Sequence, residues 1–251
     1  MSPFQTKPSP VTDLSAPSGV DSNQLTTDRS DTGQPDTGRP DTGRPYAGQS
    51  REQRSAQRQQ QFLAAGLEVF GTDGFRHTTV KSLCRTAQLT DRYFYQEFGS
   101  LEGLLQAVYC QQMERIYRLL EEEFQRCVAT DNLAQLVRNS LQLFFTELED
   151  PRVARVCMLE LEGVSADTDA LYLSYIQRFA RQLTDVLQTL RQAKDADWQI
   201  SEEEAELLGT GLVGAMRQIT TSWLLSNYAY SRDLMVSSGE RIILGLMSQL
   251  N

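Results

Sequence analysis

The 251-residue chain contains one histidine and four cysteines, and this scarcity excludes several kinds of catalytic and metal site. No two cysteines form a Cys-x-x-Cys pair, so the sequence predicts neither a zinc site nor a disulfide framework. The single histidine, His77, has no partner with which to build a catalytic triad or a metal site. Paired carboxylates in a recognisable motif and phosphate-binding loops are also missing. We therefore expect a protein that is not an enzyme and needs no cofactor or metal.

Long apolar runs are scarce as well, and so are prolines after residue 50. The longest apolar runs fall well short of the ~18 to 20 residues that span a bilayer. No charged start followed by an apolar stretch marks a secretory signal. We expect a cytoplasmic protein that does not bind a membrane. Pro151 is the only proline after residue 50, which leaves long stretches free to form helices.

Negative charge dominates the chain, but it is unevenly distributed. The net charge of −9 argues against nucleic-acid binding when the chain is taken as a whole. Residues 51–108, however, carry seven basic and six acidic residues, whereas residues 109–251 carry 13 basic and 21 acidic ones. For residues 51–108 taken alone, the net charge is therefore no argument against nucleic-acid binding.

Residues 1–50 differ in composition from the rest of the chain. They hold seven of the eight prolines, and the pattern Asp-Thr-Gly-Gln/Arg-Pro occurs three times in succession from Asp31. A five-residue period fits neither helix nor strand, and little apolar surface is present to offset the entropy of ordering. We predict a disordered tail. A docking or DNA-scanning arm is the alternative.

From residue 51 onwards, apolar residues recur with helical spacing, and no strand-like alternation interrupts them. Separate stripes begin at Leu63, Leu104, Leu133, Leu171, Leu208 and Met235. The third stripe stops just before Pro151. The fold class is therefore predicted to be all-α.

Residues 78–98 read TTVKSLCRTAQLTDRYFYQEF and predict two short helices, 80–87 and 91–97. Thr78 or Thr79 can cap the first helix and Thr90 the second, with a tight turn around Gln88. Phe94 and Phe98 give the second helix its buried side, which leaves its polar and tyrosine residues outward. Two helices joined in this way, the second facing outward, form a helix-turn-helix.

The segment from about Arg54 to Val108 resembles the tetracycline-repressor (TetR) family of bacterial regulators. The resemblance rests on motifs that occur in order and with matching gaps. They are Phe70, Gly74-Phe75, Thr78-Thr79-Val80, Leu83-Cys84, Ala87, Leu89-Thr90, Phe94-Tyr95-Gln96-Glu97-Phe98, Ser100 and Leu104-Leu105. It implies an N-terminal three-helix DNA-binding domain at residues 51–100, followed by a helical ligand-binding and dimerisation domain at residues 101–251.

The resemblance also implies DNA contacts for particular positions. Thr79 and Tyr95 correspond to phosphate contacts, and residues 90–93 to the start of the recognition helix, where bases are read. The hydrogen-bonding groups of the side chains allow Gln96 to pair with adenine and Arg92 with guanine. Arg51, Arg54 and Arg58 are expected to precede the first helix, where some relatives use a basic arm. The full set of candidates is Arg51, Arg54, Thr79, Thr90, Asp91, Arg92, Tyr93, Tyr95 and Gln96.

Three positions depart from the common pattern of the family. Leu101 stands where many relatives have a phosphate-binding lysine. Asp91 stands where a basic or small residue is common, and Arg92 where glycine is common. We expect modest non-specific DNA affinity and a sequence preference different from that of well-known relatives. Asp91 is expected either to accept a hydrogen bond from a cytosine or to stabilise the N-terminus of its own helix.

The C-terminal part is predicted to form a homodimer through two helices, at residues 208–223 and 235–250. Gly209, Gly211 and Gly214 would let helices approach closely in such an interface, although packing within one chain is the alternative. A pocket among the central helices would bind an apolar or amphipathic effector. Its candidate residues, for each of which ordinary core is the alternative, are Tyr109, Met113, Phe145, Met158, Tyr172, Tyr175, Phe179 and Trp223.

The leading functional hypothesis is a repressor that binds a pseudo-palindromic operator in double-stranded DNA as a dimer and releases it when a small molecule binds. The alternatives are a helical small-molecule-binding protein or enzyme with a vestigial helix-turn-helix, and an interaction scaffold. Glu160 and Glu162 are either polar groups of the pocket or surface carboxylates paired with Arg152 or Arg155. The identities of the effector and the operator are not encoded in any recognisable motif.

Overall fold

The computed structural model describes residues 50–127, 132–193 and 201–248, with side chains throughout except at 187 and 190–193. The predicted disordered tail, apart from Ser50, lies outside the described residues. So does the end of the predicted last helix at residues 249 and 250. The described residues fall within one compact unit of the chain.

Three helices form the N-terminal part of the described chain. Helix α1 spans Arg51–Thr72, α2 spans Val80–Ala87 and α3 spans Asp91–Phe98, with a 3-10 turn at Phe75–His77 between α1 and α2. The predicted boundaries of α2 are confirmed, and α3 extends one residue beyond the predicted 97. Gln88, in the left-handed conformation at φ 56°, ends α2 and makes the tight turn to α3.

Six further helices follow, and the prediction of an all-α fold is confirmed for the part of the chain that is described. The π-helical turn that extends α6 was not predicted. The bounds are α4 Leu101–Cys127, α5 Leu133–Glu147, α6 Pro151–Arg155 with its π turn at Val156–Glu160, α7 Ala166–Ala193, α8 Glu202–Leu225 and α9 Arg232–Met247.

Local sequence explains where several helices begin. The Asp150 side chain accepts a hydrogen bond from the backbone N–H of Arg152, and Pro151 occupies the first turn of α6, where its missing N–H costs nothing. The Ser201 side chain accepts a hydrogen bond from the backbone N–H of Glu204 at the start of α8. Acidic residues in the first turn of α8 are favoured by the helix dipole.

Two apolar clusters hold the helices together. The larger one includes Phe62 and Phe70 of α1, Phe94 of α3 and Leu104 of α4, so it joins the helix-turn-helix to the body of the protein. The second lies between α5, α8 and α9 and is built around Trp223, whose indole N–H donates to the Tyr230 carbonyl at 2.8 Å. Pairs α5–α9 and α7–α8 make the most extensive helix contacts among the described elements.

Helices of the described segments are too short or too polar to cross a membrane. Within the same segments, His, Cys, Asp and Glu side chains nowhere gather in a group of three or more that could hold a metal ion.

Candidate DNA interface and effector cavity

The nine residues predicted to contact DNA are all exposed in the structure. Arg51 and Arg54 were predicted to precede the first helix, but they lie on the first turn of α1, because Ser50 caps the helix and starts it at Arg51. Thr79 lies at the start of α2, and the other six lie on the N-cap or body of α3. Tyr95 is 56 % exposed, which is unusual for a large aromatic side chain on a packed helix. The fold therefore presents α3 as a free polar surface.

Two of these residues also have local structural roles. Thr79 caps α2, since its hydroxyl accepts the backbone N–H of Ser82 at 3.1 Å. The Asp91 carboxylate accepts the backbone N–H of Arg92 at 2.8 Å, so Asp91 satisfies a donor at the N-terminus of α3. Thr90 is the N-cap of α3 but makes no capping hydrogen bond with its side chain.

Aromatic packing fixes the orientation of α3. Phe94 is fully buried, and its ring meets Phe62 of α1 edge to face at 5.6 Å between centroids. Phe98 meets the same Phe62 ring at 5.9 Å. Because Phe94 and Phe98 are four residues apart, they lie on one side of α3, and the candidate DNA residues occupy the other.

Arg58, which the sequence grouped with the basic arm, instead lies between α1 and α3. Its guanidinium contacts the Glu97 carboxylate at 3.2 Å and lies 4.5 Å from the centre of the Tyr93 ring. Ser55 and Gln59 of α1 donate to the same carboxylate at 2.7 and 3.1 Å. The contacts of Glu97 with Ser55, Arg58 and Gln59 therefore hold α3 against α1, and we call them the polar clamp. The Arg58 guanidinium also packs against the Tyr93 ring.

Glu97 is expected to make the stability of this clamp depend on pH. Burial alone would raise the pKa of its carboxyl, but the hydrogen bonds from Ser55, Arg58 and Gln59 outweigh burial and lower the pKa below 4.5. A carboxyl whose pKa is lower in the folded state stabilises the protein above about pH 4.5, and this stabilisation is lost as the pH falls through the folded pKa.

Glu97→Gln is accordingly expected to destabilise the protein by roughly 1–2 kcal/mol at pH 7 and by less at pH 3.5. Urea unfolding of both proteins at the two pH values measures the difference. Glu122→Gln, at an exposed position on α4, is the control and should match wild type at both. A penalty for Glu97→Gln that is unchanged between pH 7 and pH 3.5 would contradict the clamp.

A cavity of about 180 Å³ lies among α4, α5, α7 and α8, with Ile243 of α9 also in its wall. Its lining is mostly aliphatic, aromatic and methionine side chains, as is usual for sites that bind apolar ligands. Five of the eight predicted pocket residues line it. They are Tyr109, Met113, Met158, Tyr172 and Phe179.

The other three predicted pocket residues are packed away from the cavity lining. Phe145 and Trp223 meet edge to face at 5.8 Å in the second apolar cluster. Tyr175 is buried against Tyr109, and its hydroxyl donates to Glu114 at 2.8 Å. Aromatic residues on a helical stripe thus divide between core and cavity, and their spacing does not distinguish the two.

Three polar cavity residues were not predicted from the sequence: Ser140, Gln182 and Arg217. Arg217 could have been noticed in the sequence, because it is the only charged residue between Glu206 and Arg232. Its guanidinium donates to the Glu162 carboxylate at 2.5 Å and to the Met158 carbonyl at 3.2 Å, and lies 5.1 Å from the centre of the Tyr172 ring. Glu162 is thus an ion-pair partner of a cavity residue on α8.

The thiol and phenol groups of the cavity wall are neutral at pH 7, and burial shifts their pKa values still further from neutrality. Burial raises the pKa of the Cys157 thiol to about 12 and raises the pKa of the Tyr109 phenol well above its usual value. The pKa of Tyr172 is also raised, chiefly by burial, although Arg217 opposes the shift. At neutral pH these groups are uncharged, so the charge at the cavity comes from Arg217 and its partner Glu162.

The π turn at Val156–Glu160 connects the cavity to the helix-turn-helix. Cys157 and Met158 line the cavity. Glu160, at the end of the same turn, accepts the backbone N–H of Phe75 at 2.7 Å and pairs with Arg155 at 2.6 Å. Arg155 in turn donates to the carbonyl of Thr72 at the end of α1. Glu160 is therefore paired with Arg155, and it is not among the residues that line the cavity.

Comparison with known proteins agrees with this architecture. Residues 62–108 match the family model described as bacterial regulatory proteins of the tetR family. No curated protein matches the chain at a significant level.

Many solved structures share the fold at low sequence identity. The fatty acid degradation regulator FadR from Bacillus halodurans is 17 % identical with a TM-score of 0.66, over 75 % of this chain and 95 % of that one. FadR from Bacillus subtilis, in complex with stearoyl-CoA, is 17 % identical with a TM-score of 0.60, over 73 % and 96 %. A TetR-like transcriptional regulator from Rhodococcus sp. RHA1 is 18 % identical with a TM-score of 0.55, over 76 % and 96 %.

Proposed function

We propose that this chain, whose residues 62–108 match the tetR family model, is a TetR-family repressor that binds a pseudo-palindromic operator as a homodimer and is released by a small apolar or amphipathic effector. The observation that carries the proposal is α3. Its buried side is fixed by Phe94 and Phe98, and its opposite side exposes residues suited to reading DNA. A regulator of this kind performs no catalysis.

In the proposed complex, the N-terminal half of α3 enters the major groove. Arg92 forks to a guanine and Gln96 pairs with an adenine, whereas Thr79 and Tyr95 contact phosphates. Thr90, Asp91 and Tyr93 lie at the groove edge, and Arg51 and Arg54 extend towards the neighbouring backbone. Support comes from the exposure of all nine side chains and from the polar clamp that holds α3 on α1.

The proposed dimer interface consists of α8 and α9, over residues 208–223 and 235–250 as far as these are described. A Cβ added at Gly211 or Gly214 would meet no atom within 4 Å, so these glycines face open space and leave room for a second backbone. Gly209 is different, because it packs against the Ala180 carbonyl of α7 in the same chain. Two-fold symmetry would place two α3 helices about one helical turn of DNA apart.

The proposed effector site is the cavity lined by Tyr109, Met113, Met158 and Tyr172. An effector acts only if it binds the DNA-incompetent arrangement more tightly than the competent one. The π turn offers a physical route for this coupling, because it lines the cavity at one end and bonds to Phe75, just before α2, at the other. A ligand that displaces Met158 would shift the Glu160 contact and with it the helix-turn-helix.

Selection of DNA fragments by the purified full-length protein tests the proposal. We expect enrichment of a palindrome bound by two chains. On that site, Arg92→Ala combined with Tyr95→Phe should raise Kd about tenfold to a thousandfold, because one bidentate base contact alone contributes about 1–3 kcal/mol. Arg118→Ala, which removes a positive charge from the exposed surface of α4, should leave Kd within about threefold of wild type.

Absence of an enriched palindrome, or equal losses in the α3 variant and the α4 control, would overturn the proposal. Ligand binding without salt-dependent DNA binding would instead favour a small-molecule-binding protein with a vestigial helix-turn-helix.

A further inference from the structure

We infer that Arg217 and Glu162 form the polar end of the effector cavity and select a ligand with a neutral carbonyl group on a short apolar chain. The inference rests on the proposed effector site and specifies the chemical class that this site would accept. Arg217 is the only charged side chain in the cavity wall, as far as the described residues define it. It therefore determines what the polar end of a ligand encounters.

The contacts of Arg217 leave its Nε donor unpaired in the interior of the protein. Its Nη2 atom donates to Glu162 and to the Met158 carbonyl, whereas its Nε atom is buried and has no hydrogen-bond partner among the described residues. A buried donor without an acceptor is unfavourable, and a ligand oxygen that reaches it after a small side-chain movement removes that cost. The geometry thus favours a ligand that carries a hydrogen-bond acceptor.

Electrostatics distinguishes a neutral acceptor from an anionic one. The Glu162 carboxylate lies 2.5 Å from the guanidinium, so the pair carries no net charge. A ligand carboxylate would be repelled by Glu162, whereas the carbonyl oxygen of an ester or thioester would not. The side chain of Glu162 is 55 % exposed and that of Arg217 25 % exposed, so this end of the cavity reaches the surface and a ligand can enter there.

Cavity volume limits the apolar part of the ligand. Roughly 150 Å³ is enough for benzene in an apolar protein cavity. At about 180 Å³, this cavity accommodates a chain of about six carbons in the described conformation. A much longer acyl chain would require the helices around the cavity to move apart.

Isothermal titration of the full-length protein with four six-carbon probes tests the inference. The probes are methyl hexanoate, S-methyl thiohexanoate, hexanoate and hexane. We expect at least one of the two carbonyl probes to bind wild type about tenfold tighter than hexane and tighter than hexanoate. Comparison of the oxygen ester with the thioester shows which source of the carbonyl the site prefers.

Variants of the two polar residues separate this role from a purely structural one. Arg217→Met should remove most of the preference for the carbonyl probes over hexane. Arg178→Met is the matched control, because Arg178 also pairs with a glutamate and stacks on a tyrosine but does not line the cavity. It should keep the preference. Glu162→Gln should tighten hexanoate binding about tenfold and leave methyl hexanoate within about twofold.

The inference is overturned if hexane binds wild type as tightly as the carbonyl probes, if hexanoate binds tightest, or if no probe binds. It is also overturned if Glu162→Gln leaves the affinity for hexanoate unchanged, a result that does not depend on the folding of Arg217→Met. Operator binding in the absence of probes is measured separately, so a loss of probe selectivity with operator binding retained rejects this inference and leaves the proposed function standing.

Discussion

Phe94→Ala is expected to lower the free energy of unfolding by about 4 kcal/mol, the largest effect of a single substitution in the helix-turn-helix. Phe94 is completely buried and contacts Phe62 and Phe98, so its removal leaves a cavity between α1 and α3. The orientation of α3 depends on this contact. Operator binding should therefore be lost together with stability.

Urea unfolding at a fixed protein concentration measures the change in stability. Tyr95→Ala is the matched control, since the two aromatic residues are adjacent on α3 but Tyr95 is 56 % exposed. It should cost at most about 1 kcal/mol, mainly through its edge contact with Phe94 at 5.3 Å. Similar losses of stability for the two variants would mean that α3 is not oriented as described.

Gly71→Ala is expected to destabilise the protein by about 3 kcal/mol, although alanine normally favours a helix. Gly71 lies on α1 where that helix crosses α6. A Cβ at this position would lie 2.4 Å from the Arg152 Cβ and 2.5 Å from its Cα, so the backbones of α1 and α6 must move apart. The contacts of Arg155 with Thr72 and of Glu160 with Phe75 lie close to this crossing in the chain, and we expect them to weaken too.

Ala64→Gly, at an exposed position on α1, is the control. It measures the difference in stability between alanine and glycine in the same helix at a solvent-facing position. It should destabilise by about 1 kcal/mol, which is the ordinary difference between the two residues. If Gly71→Ala instead stabilised the protein by a similar amount, the close approach of α1 to α6 would be refuted. Differential scanning calorimetry of both variants provides the measurement.

The helix-turn-helix was predictable because its signals are local. Apolar spacing, the cap at Thr79 and the phenylalanines four residues apart all act within one or two helical turns. The bounds of α2 and the outward direction of Tyr95 follow from those signals. The role of Arg58 did not, because its partner Glu97 lies 39 residues further along the chain. Nothing in the neighbourhood of Arg58 distinguishes a clamp from a DNA-binding arm.

The cavity was predictable only in part. Aromatic and methionine stripes indicate buried surface, yet the same pattern describes Met113, which lines the cavity, and Phe145, which does not. An unfilled volume is what remains after several helices have packed, so no single helix encodes it. Arg217 could have been noticed as a lone charge in an uncharged stretch, but the sequence alone does not place it beside Glu162 and Tyr172.

The sequence by itself determined the helical class, the helix-turn-helix and the surface that α3 presents, since these depend on periodicity and capping over short distances. Tertiary structure alone decided which buried residues surround a space and which fill the core. It also decided that the π turn joins that space to Phe75, and that Gly71 allows α1 to approach α6. The physical reason is that packing and long-range pairing depend on residues far apart in the chain, which local patterns do not relate to one another.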